Sequence, residues 1–390
     1  MKTRSIYLDY QATTPVDPRV LNAMLPYFTE NFGNPASKSH AYGHDAFAAV
    51  EEAREILAKS IKAKAQEIIF TSGATEAVNL AIKGVAAANL GRGSHFVTVA
   101  TEHKAVLDCF QTLSKTGHEV TILPVCKNGL IDVELFRSAL KPDTVLAAVM
   151  TANNEIGVIQ PVHELGKICR QAGVYFFTDA TQAFGKVLLD VQSSQIDLLA
   201  ASAHKIYGPK GIGMLYVRRS NPRVKINAII DGGGHERGLR SGTIATPNVV
   251  GFAKAIGIAL KERSTEEQRT LKLKQELERT LLDGIPGARV NGDTKQRLAG
   301  SLNITLPGVD SEALMIALKD KIAVSSGSAC TTAAVVPSHV LQALGCAPDE
   351  TRSSLRFGIG RFTTSEDIHV ASDALLEAHA RLREIRLAIA

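Results

Sequence analysis

The chain has 390 residues, of which 45% are hydrophobic and 21% are charged, and its formal net charge is +5. This composition is ordinary for a globular protein and excludes a largely disordered chain. The positive excess is small and scattered, so it does not indicate nucleic-acid binding. The length predicts two domains, because single domains commonly hold about 100–200 residues.

The first residues, MKTRSIYLDY, contain no apolar stretch of signal-peptide length. The sequence therefore predicts no export signal and a soluble, cytoplasmic protein. The longest apolar-rich segment, VVGFAKAIGIAL (249–260), is interrupted by Lys254 and is shorter than the roughly 20 apolar residues that span a bilayer.

The five cysteines stand at positions 109, 126, 169, 330 and 346. Their odd number and wide spacing argue against a disulfide framework or a zinc knuckle. We expect buried structural thiols at all of these positions except Cys330, and we predict no metal site that belongs to the protein itself.

From residue 67 onward, short β-rich runs alternate with helical patterns. The predicted strands are EIIFTS (67–72), HFVTVA (95–100), EVTILPV (119–125), TVLAAVM (144–150), VYFFTD (174–179), DLLAAS (197–202) and GMLYVR (213–218). Helices are predicted over 74–88, 104–115 and 162–171. Continuous apolar strands separated by helices indicate a mainly parallel sheet that is covered on both faces.

The last third of the chain has a different pattern. A long helix over 249–282 leads to the strand SLNITL, the helix SEALMIAL, a further strand and a final helix from Ser365. This mixture predicts an α+β domain over residues 262–390.

Ligands of doubly wound sheets bind at the carboxyl ends of the strands, and three such ends carry reactive or polar residues. TSGATE (71–76) places small residues at a helix N-terminus, where backbone N–H groups and the helix dipole favour a phosphate. The alternative is a capped helix with nothing bound.

The other two strand ends carry an acid and an amine. Asp179 closes the apolar strand of FFTDATQ (176–182), and a buried carboxylate there needs a cation or several donors. Lys205 follows the strand of AASAHKIYGPKGIG (200–213), where a desolvated amine can form a Schiff base. The alternatives are a salt bridge or helix cap for Asp179 and a solvent-facing side chain for Lys205.

A phosphate cradle, an acid for a ring nitrogen and an amine for an aldehyde together match pyridoxal 5'-phosphate. Neither a Walker A run nor a GxGxxG after a strand is present, so the sequence offers no support for a nucleotide site.

At this level of detail the sequence resembles the cysteine desulfurases of the housekeeping and nitrogen-fixation type. The matching motifs cover nearly the whole chain: YLDYQATTPVDPRV, FGNPAS (32–37), FTSGATEAVNLAIKG (70–84), TEHKAVL (101–107), NNEIGV (153–158), TDATQ (178–182), AHKIYGPKGIG (203–213), GGGHERGLRSGT (232–243), AVSSGSACT (323–331) and SSLRFGIGRFTT (353–364). The resemblance implies a fold-type I α/β enzyme. A large cofactor-binding domain over 16–261 would hold a seven-stranded sheet, and residues 1–15 would pack on the small domain over 262–390.

The resemblance also implies a role for each matching residue. Lys205 would bind the cofactor covalently, Asp179 would pair with its ring nitrogen, and Gln182 would bond its ring hydroxyl. His103 would stack on the ring and move protons. The phosphate would be held by Ala74, Thr75, Ser202 and His204, with Thr243 from a second subunit of a homodimer. The substrate carboxylate and the cofactor's substrate side would be held by Asn34, Asn154 and Arg356.

Cys330 lies in SSGSACTTAAVVP (325–337), between an apolar strand and a helix that begins near Pro337. Small residues around it predict a loop, and loops often carry chemistry. A loop thiol could attack the sulfur of bound cysteine, keep it as a persulfide and deliver it to acceptor proteins, for iron–sulfur cluster assembly or tRNA thiolation. Cys330 could also ligate a nascent cluster transiently.

Other enzymes on the same fold are the main alternatives, because a fold alone does not specify a reaction. An aminotransferase needs no cysteine nucleophile, whereas a selenocysteine or cystine lyase could use the same thiol. A binding or scaffold protein without catalysis is the alternative from another class. The family's housekeeping members carry a tail beyond the last helix, while this sequence stops at ARLREIRLAIA, so the resemblance does not extend to the scaffold contact that the tail makes.

Overall fold

A computed structural model describes residues 5–326 and 337–389 of the chain. The strands are β1 (Ile6–Tyr7), β2 (Ile68–Thr71), β3 (His95–Val99), β4 (Glu119–Leu123), β5 (Thr144–Ala148), β6 (Tyr175–Asp179), β7 (Leu198–Ser202), β8 (Gly213–Val217), β9 (Arg289–Val290), β10 (Ser301–Thr305), β11 (Ile322–Ala323) and β12 (Ser354–Gly358). The helices are α1 (Pro18–Met24), α2 (Pro26–Thr29), α3 (Ala41–Ser60), α4 (Ala74–Ala88), α5 (Lys104–Lys115), α6 (Val133–Ala139), α7 (Val162–Gln171), α8 (Thr246–Gly284), α9 (Ser311–Leu318), α10 (His339–Ala343), α11 (Pro348–Arg352) and α12 (Ser365–Ile389).

The larger sheet has seven strands in the order β2-β8-β7-β6-β5-β3-β4. Strand β8 runs antiparallel to β2 and β7, and the pairings from β7 to β4 are parallel. Apart from β4, these strands are buried along their whole length, because helices cover both faces of the sheet. The predicted α/β fold with a mainly parallel sheet is confirmed.

Two hydrophobic clusters fill the faces of this sheet. One contains Val97, Phe176 and Tyr216 and packs against α3 and α8, while the other contains Phe96, Phe177 and Leu215 and packs against α4 and α5. Consecutive residues such as Phe176 and Phe177 point to opposite faces, as the two-residue period of a strand requires. The bounds predicted for α4, α5, α7 and α9 match the observed helices.

A three-stranded antiparallel sheet in the order β12-β10-β9 lies in the C-terminal part of the chain, where α9 and α12 contribute to its core. The N-terminal strand β1 pairs in parallel with β11 of this part. The predicted domain boundary at 261/262 falls inside α8, a continuous helix of 39 residues, and it stays a prediction.

Helix α3 has no counterpart among the sequence predictions. Its buried residues Ala46, Val50, Ala53 and Leu57 recur at the three- and four-residue spacing of an amphipathic helix, so the sequence did carry the pattern. Within residues 5–326 and 337–389, no helix is long and apolar enough to cross a membrane.

Candidate active site

A cavity of about 620 Å³ lies at the carboxyl ends of the strands of the larger sheet. Its lining includes ten of the residues predicted for the site: Ala74, Thr75, His103, Asn154, Asp179, Gln182, Ser202, His204, Lys205 and Arg356. Parallel strands end at the same edge, so motifs that are far apart in sequence meet there.

Lys205 ends a short 3-10 turn that follows β7 directly. Its Nζ atom donates to the backbone oxygens of Gln11 and Ala12, both at 2.7 Å. Burial, together with the nearby positive charges of Lys186 and Arg356, lowers the pKa of Lys205 to about 7. An amine with this pKa is substantially neutral at physiological pH and can act as a nucleophile.

Asp179 is the last residue of β6 and is 6% exposed. Its Oδ1 atom accepts a hydrogen bond of 2.9 Å from the backbone of Thr181. Gln182, one turn further on, donates from Nε2 to the backbone oxygen of Gln11 at 2.8 Å. The acid is therefore held by its own loop, and the amide is held by the N-terminal segment.

Four of the five predicted phosphate-binding residues, Ala74, Thr75, Ser202 and His204, line this cavity, and the first two open α4. The helix begins at Ala74, directly after Gly73, and an added Cβ at Gly73 would extend into open space. A Cβ at Gly213 of β8 would lie 2.7 Å from the Cα atom of Gly73. Glycine at 213 thus allows this loop to approach the sheet, and the helix N-terminus stays accessible to an anion.

His204 lies at the same end of the cavity, and its Nδ1 atom is 3.0 Å from the hydroxyl oxygen of Thr13. Burial, together with the charges of Lys205 and Lys210, lowers the pKa of His204 to about 4. His204 is thus neutral near pH 7, and it can accept or donate a hydrogen bond without adding charge.

His103 is the N-cap of α5, and its Nδ1 atom accepts a hydrogen bond of 3.1 Å from Ala105. In the neutral ring the proton then resides on Nε2. Burial lowers the pKa of His103, while the charge of Asp179 opposes this shift. The side chain lines the cavity, so Nε2 can exchange protons with a bound group.

Arg356 reaches the cavity from β12 of the smaller sheet. Its guanidinium donates to Asp9 Oδ1 at 2.7 Å and to the backbone oxygen of Asn154 at 3.1 Å. Its Nε atom is buried and has no hydrogen-bond partner in the described parts of the chain. A fixed guanidinium with a free donor is suited to a carboxylate ligand.

Two of the predicted site residues that the structure describes are not brought into this cavity. Asn34 is exposed, and its Oδ1 atom accepts from the backbone of Ala36 at 2.9 Å. Thr243 is also exposed and does not line the cavity of its own chain. Cys330 lies outside the described residues.

Sequence reasoning assigned no role to three further residues at the site. The backbone oxygens of Gln11 and Ala12 hold Lys205, which is more than 190 positions away, and no local pattern indicates such a contact. Glu102 is buried beside His103, and its Oε1 atom accepts from the backbone of Met150. Burial and the nearby Asp179 raise the pKa of Glu102 well above its usual range.

The donor set fits pyridoxal phosphate: an amine of lowered pKa, a buried carboxylate and an open helix N-terminus line one cavity. Fold and site together define a pyridoxal-phosphate-dependent enzyme of fold-type I. The sequence profile of the family described as aminotransferase class-V matches residues 6–370, and the chain belongs to this family.

Comparison with individual proteins gives a more specific likeness. The chain is 54% identical to "Cysteine desulfurase IscS" of Methylococcus capsulatus, over 97% of this chain and 94% of that protein. The solved structure "NIFS-LIKE PROTEIN" has a TM-score of 0.91 and 34% identity, over 97% of this chain and all of that one. The structure "SspA in complex with cysteine" has a TM-score of 0.80 and 35% identity, over 93% and 100% of the two chains.

Proposed function

We propose that this chain is a cysteine desulfurase, which removes sulfur from L-cysteine, releases L-alanine and keeps the sulfur as a persulfide on Cys330. The observation that carries the proposal is the convergence of Lys205, Asp179, His103 and Arg356 on one cavity. Relatives named cysteine desulfurase match over nearly the whole chain, which supports this reaction over the other reactions of the fold.

The cofactor would lie with its phosphate at the N-terminus of α4, near Ser202 and His204, and with its ring nitrogen at Asp179. Lys205 would bond its aldehyde. Pyridoxal phosphate bound there supplies an electron sink for the bonds at the substrate's α-carbon. Arg356 would bind the substrate carboxylate through its free Nε–H.

The remaining steps are proton and sulfur transfers by residues of the chain. Lys205, with its pKa near 7, can accept and return a proton at the α-carbon. The Cys330 thiolate would attack the substrate sulfur, so that an S–S bond forms while the C–S bond breaks. The carbon gains a proton and leaves as alanine, and Cys330 carries the second sulfur as a persulfide. His103 can supply a proton from Nε2.

Replacing Cys330 tests the proposal directly. With cysteine as substrate, Cys330→Ser should retain the visible absorbance of the bound cofactor but release almost no alanine. Cys126→Ser is the matched control, because Cys126 is an exposed free thiol and not the buried one expected from the sequence, and it should keep full activity. If Cys330→Ser desulfurates cysteine at the normal rate, a lyase mechanism replaces the one proposed here.

A homodimer with shared active sites is part of the proposal. Four aromatic side chains of α2, α3 and the segment between them are more than half exposed: Phe28 (55%), Phe32 (62%), Tyr42 (55%) and Phe47 (55%). The rings of Phe32 and Tyr42 lie 5.3 Å apart, and exposed aromatic side chains grouped in this way are typical of protein–protein interfaces. Thr243, also exposed, would then reach the phosphate of the neighbouring subunit.

Sedimentation of the holoenzyme tests the dimer. We expect a dimer at assay concentrations, and Phe32→Glu should shift the protein toward a monomer and lower activity. Phe362→Glu is the control, because Phe362 is also exposed (45%) but lies far along the chain from this patch. A fully active monomer would contradict shared sites. The acceptor of the persulfide sulfur would be an iron–sulfur scaffold or a thiolation carrier.

A further inference from the structure

A second, smaller cavity of about 100 Å³ is also lined by Lys205, and none of the residues of α4 contributes to it. We call it the inner cavity. Lys205 and Gln11 line both cavities and separate them. Four further cationic side chains line the inner cavity, and one of them, Arg361, pairs with Asp17 and Glu266. The other three come from different elements: Lys186 after β6, Arg263 on α8 and Arg297 before β10.

Arg297 is the most deeply buried of these three cations, with 9% of its surface exposed. Its Nε and Nη2 atoms donate to the backbone oxygens of Asp293 and Asn291. Its Nη1 atom is buried and has no partner among the described residues. Glu278 and Asp293 are near enough to act on its charge, but no carboxylate among the described residues lies within ion-pair distance of it, so this buried charge has no direct ion-pair partner.

Lys186 and Arg263 are in a similar situation. Lys186 Nζ makes a hydrogen bond of 3.4 Å to Gln182 Oε1, and burial lowers its pKa to about 8. Arg263 has a buried Nη1 atom without a partner within the described segments. An ammonium with a lowered pKa and a guanidinium with unused donors are both expected where burial is not offset by a direct ion pair.

The acids of the inner cavity form no direct ion pair with these three cations in the described parts of the chain, although the charge of Glu266 acts on Lys186. Glu266 accepts a hydrogen bond of 3.0 Å from Arg361, which also pairs with Asp17 at 2.8 Å. Glu267 is exposed to solvent. The Oε1 atom of Gln11 is buried without a partner among the described residues, and it can accept a hydrogen bond from a water or from Lys186. Three cations with free N–H groups therefore face a space that holds several waters or one small anion.

A buried charge without an ion-pair partner destabilises the folded state. One anion in the inner cavity could pair with all three cations. Arginine N–H groups match the oxygens of an oxyanion in direction and number. We propose that the inner cavity is a binding site for a small inorganic oxyanion of the sulfate type, held by Lys186, Arg263 and Arg297. This site is separate from the phosphate cradle at α4 and from Arg356.

Equilibrium dialysis of the cofactor-loaded enzyme with radiolabelled sulfate at low ionic strength tests the proposal. Loading with cofactor fills the phosphate cradle, so that sulfate bound there does not contribute. We expect one saturable site per chain. Lys186→Met and Arg297→Gln should each weaken sulfate binding by about tenfold or more, as the loss of a charged hydrogen bond predicts.

Two controls separate this site from others. Lys254→Met removes an exposed positive charge of α8, and Arg356→Gln removes the proposed substrate carboxylate site; both should leave sulfate affinity unchanged. Lys186→Met replaces a buried charge with an apolar chain and should fold even if Arg297→Gln does not, in which case it decides the test alone.

The proposal is overturned if sulfate does not bind saturably, which would mean that waters fill the cavity. It is also overturned if Lys186→Met binds sulfate as the parent does, or if Arg356→Gln abolishes binding. Displacement of sulfate by an equal concentration of chloride would exclude an oxyanion-selective site.

Discussion

The seven-stranded sheet contributes to the candidate active site at the ends of its strands, whereas the three-stranded sheet contributes from within a strand. Asp179 ends β6, and Lys205 follows β7 by a single turn. Arg356, by contrast, is the middle residue of β12 and pairs with Asn303 of β10. The larger sheet thus places an acid and an amine where its strands end, and the smaller sheet contributes one cation that is fixed within a strand.

The two sheets meet at the segment that follows β5. Arg356 donates to the backbone oxygen of Asn154, Asn303 donates to that of Glu155, and Ser338 donates to the Glu155 carboxylate at 2.5 Å. We infer that the larger sheet provides the cofactor chemistry, and that the smaller one sets substrate affinity through its position at this contact. Four substitutions test this division of roles.

The largest expected effect belongs to Lys205, on the side of the larger sheet. Lys205→Ala should lower the rate of alanine release by about a hundred- to ten-thousandfold, the range for loss of a proton-transferring group. Borohydride reduction and peptide mapping of the parent should label Lys205. Lys210→Ala, which alters another lysine of the cavity, should keep that label. A label on Lys210 or Lys83 would contradict the assignment.

Glu155 tests the contact between the two parts of the molecule. Burial raises its pKa from 4.5 to about 7, so the folded state binds a proton more tightly than the unfolded state. Stability from this group is full below pH 4.5 and is lost as pH rises through 7.

Glu155→Gln keeps an acceptor for Ser338 but cannot ionise. Its free energy of unfolding, relative to the parent, should therefore rise by about 3 kcal/mol between pH 4.5 and 8. Urea unfolding at several pH values measures this difference. Glu134 is exposed, so the unfolding free energy of Glu134→Gln should vary with pH as that of the parent does. If Glu155→Gln also followed the parent at every pH, burial would not raise the pKa of Glu155.

Arg356 tests the smaller sheet. Arg356→Gln should raise the KM for cysteine by about thirtyfold, close to 2 kcal/mol, because a charged hydrogen bond to the carboxylate is lost. The change in kcat should be smaller, and cofactor affinity should stay the same. Arg352→Gln, in the neighbouring helix and half-exposed, is the control. If Arg356→Gln changed kcat but not KM, Arg356 would act in the chemical step and not in substrate binding.

The smallest effect concerns the contact between Gly213 and Gly73. Gly213→Ala would place a Cβ 2.7 Å from the Gly73 Cα and should displace the start of α4. We expect cofactor affinity to fall by about 1 kcal/mol, or fivefold, as measured by spectroscopic titration. Gly91→Ala, where an added Cβ meets no atom within 4 Å, should bind normally. If Gly213→Ala bound the cofactor with unchanged affinity, the N-terminus of α4 would not be the site that binds the phosphate.

Sequence patterns were most informative for the larger sheet. Its strands are apolar throughout and its helices begin and end at clear boundaries, so their order and most of their limits were predictable. Asp179 and Lys205 could be proposed as site residues from their local sequence, because Asp179 ends an apolar strand and Lys205 lies just beyond one. Helix α3 was missed even though its spacing of apolar residues is regular.

Contacts between distant segments were not predictable in the same way. The carbonyl groups of Gln11 and Ala12, the ion pair of Arg356 with Asp9, and the inner cavity each depend on how the N-terminal segment and the smaller sheet are placed. No local periodicity encodes these distances. The Arg297 side chain shows this well, since nothing in its flanking sequence indicates a buried guanidinium with a free N–H.

The sequence by itself therefore determined the α/β class, the strand order along the chain and the chemical types available at the strand ends. These follow from hydrophobic periodicity and helix boundaries, which act over a few residues. The tertiary structure alone decided which of these groups share a cavity, how far burial shifts the pKa of Lys205 and Glu155, and which cations are left without a partner. Burial and electrostatic pairing depend on distances between residues that the chain separates by hundreds of positions.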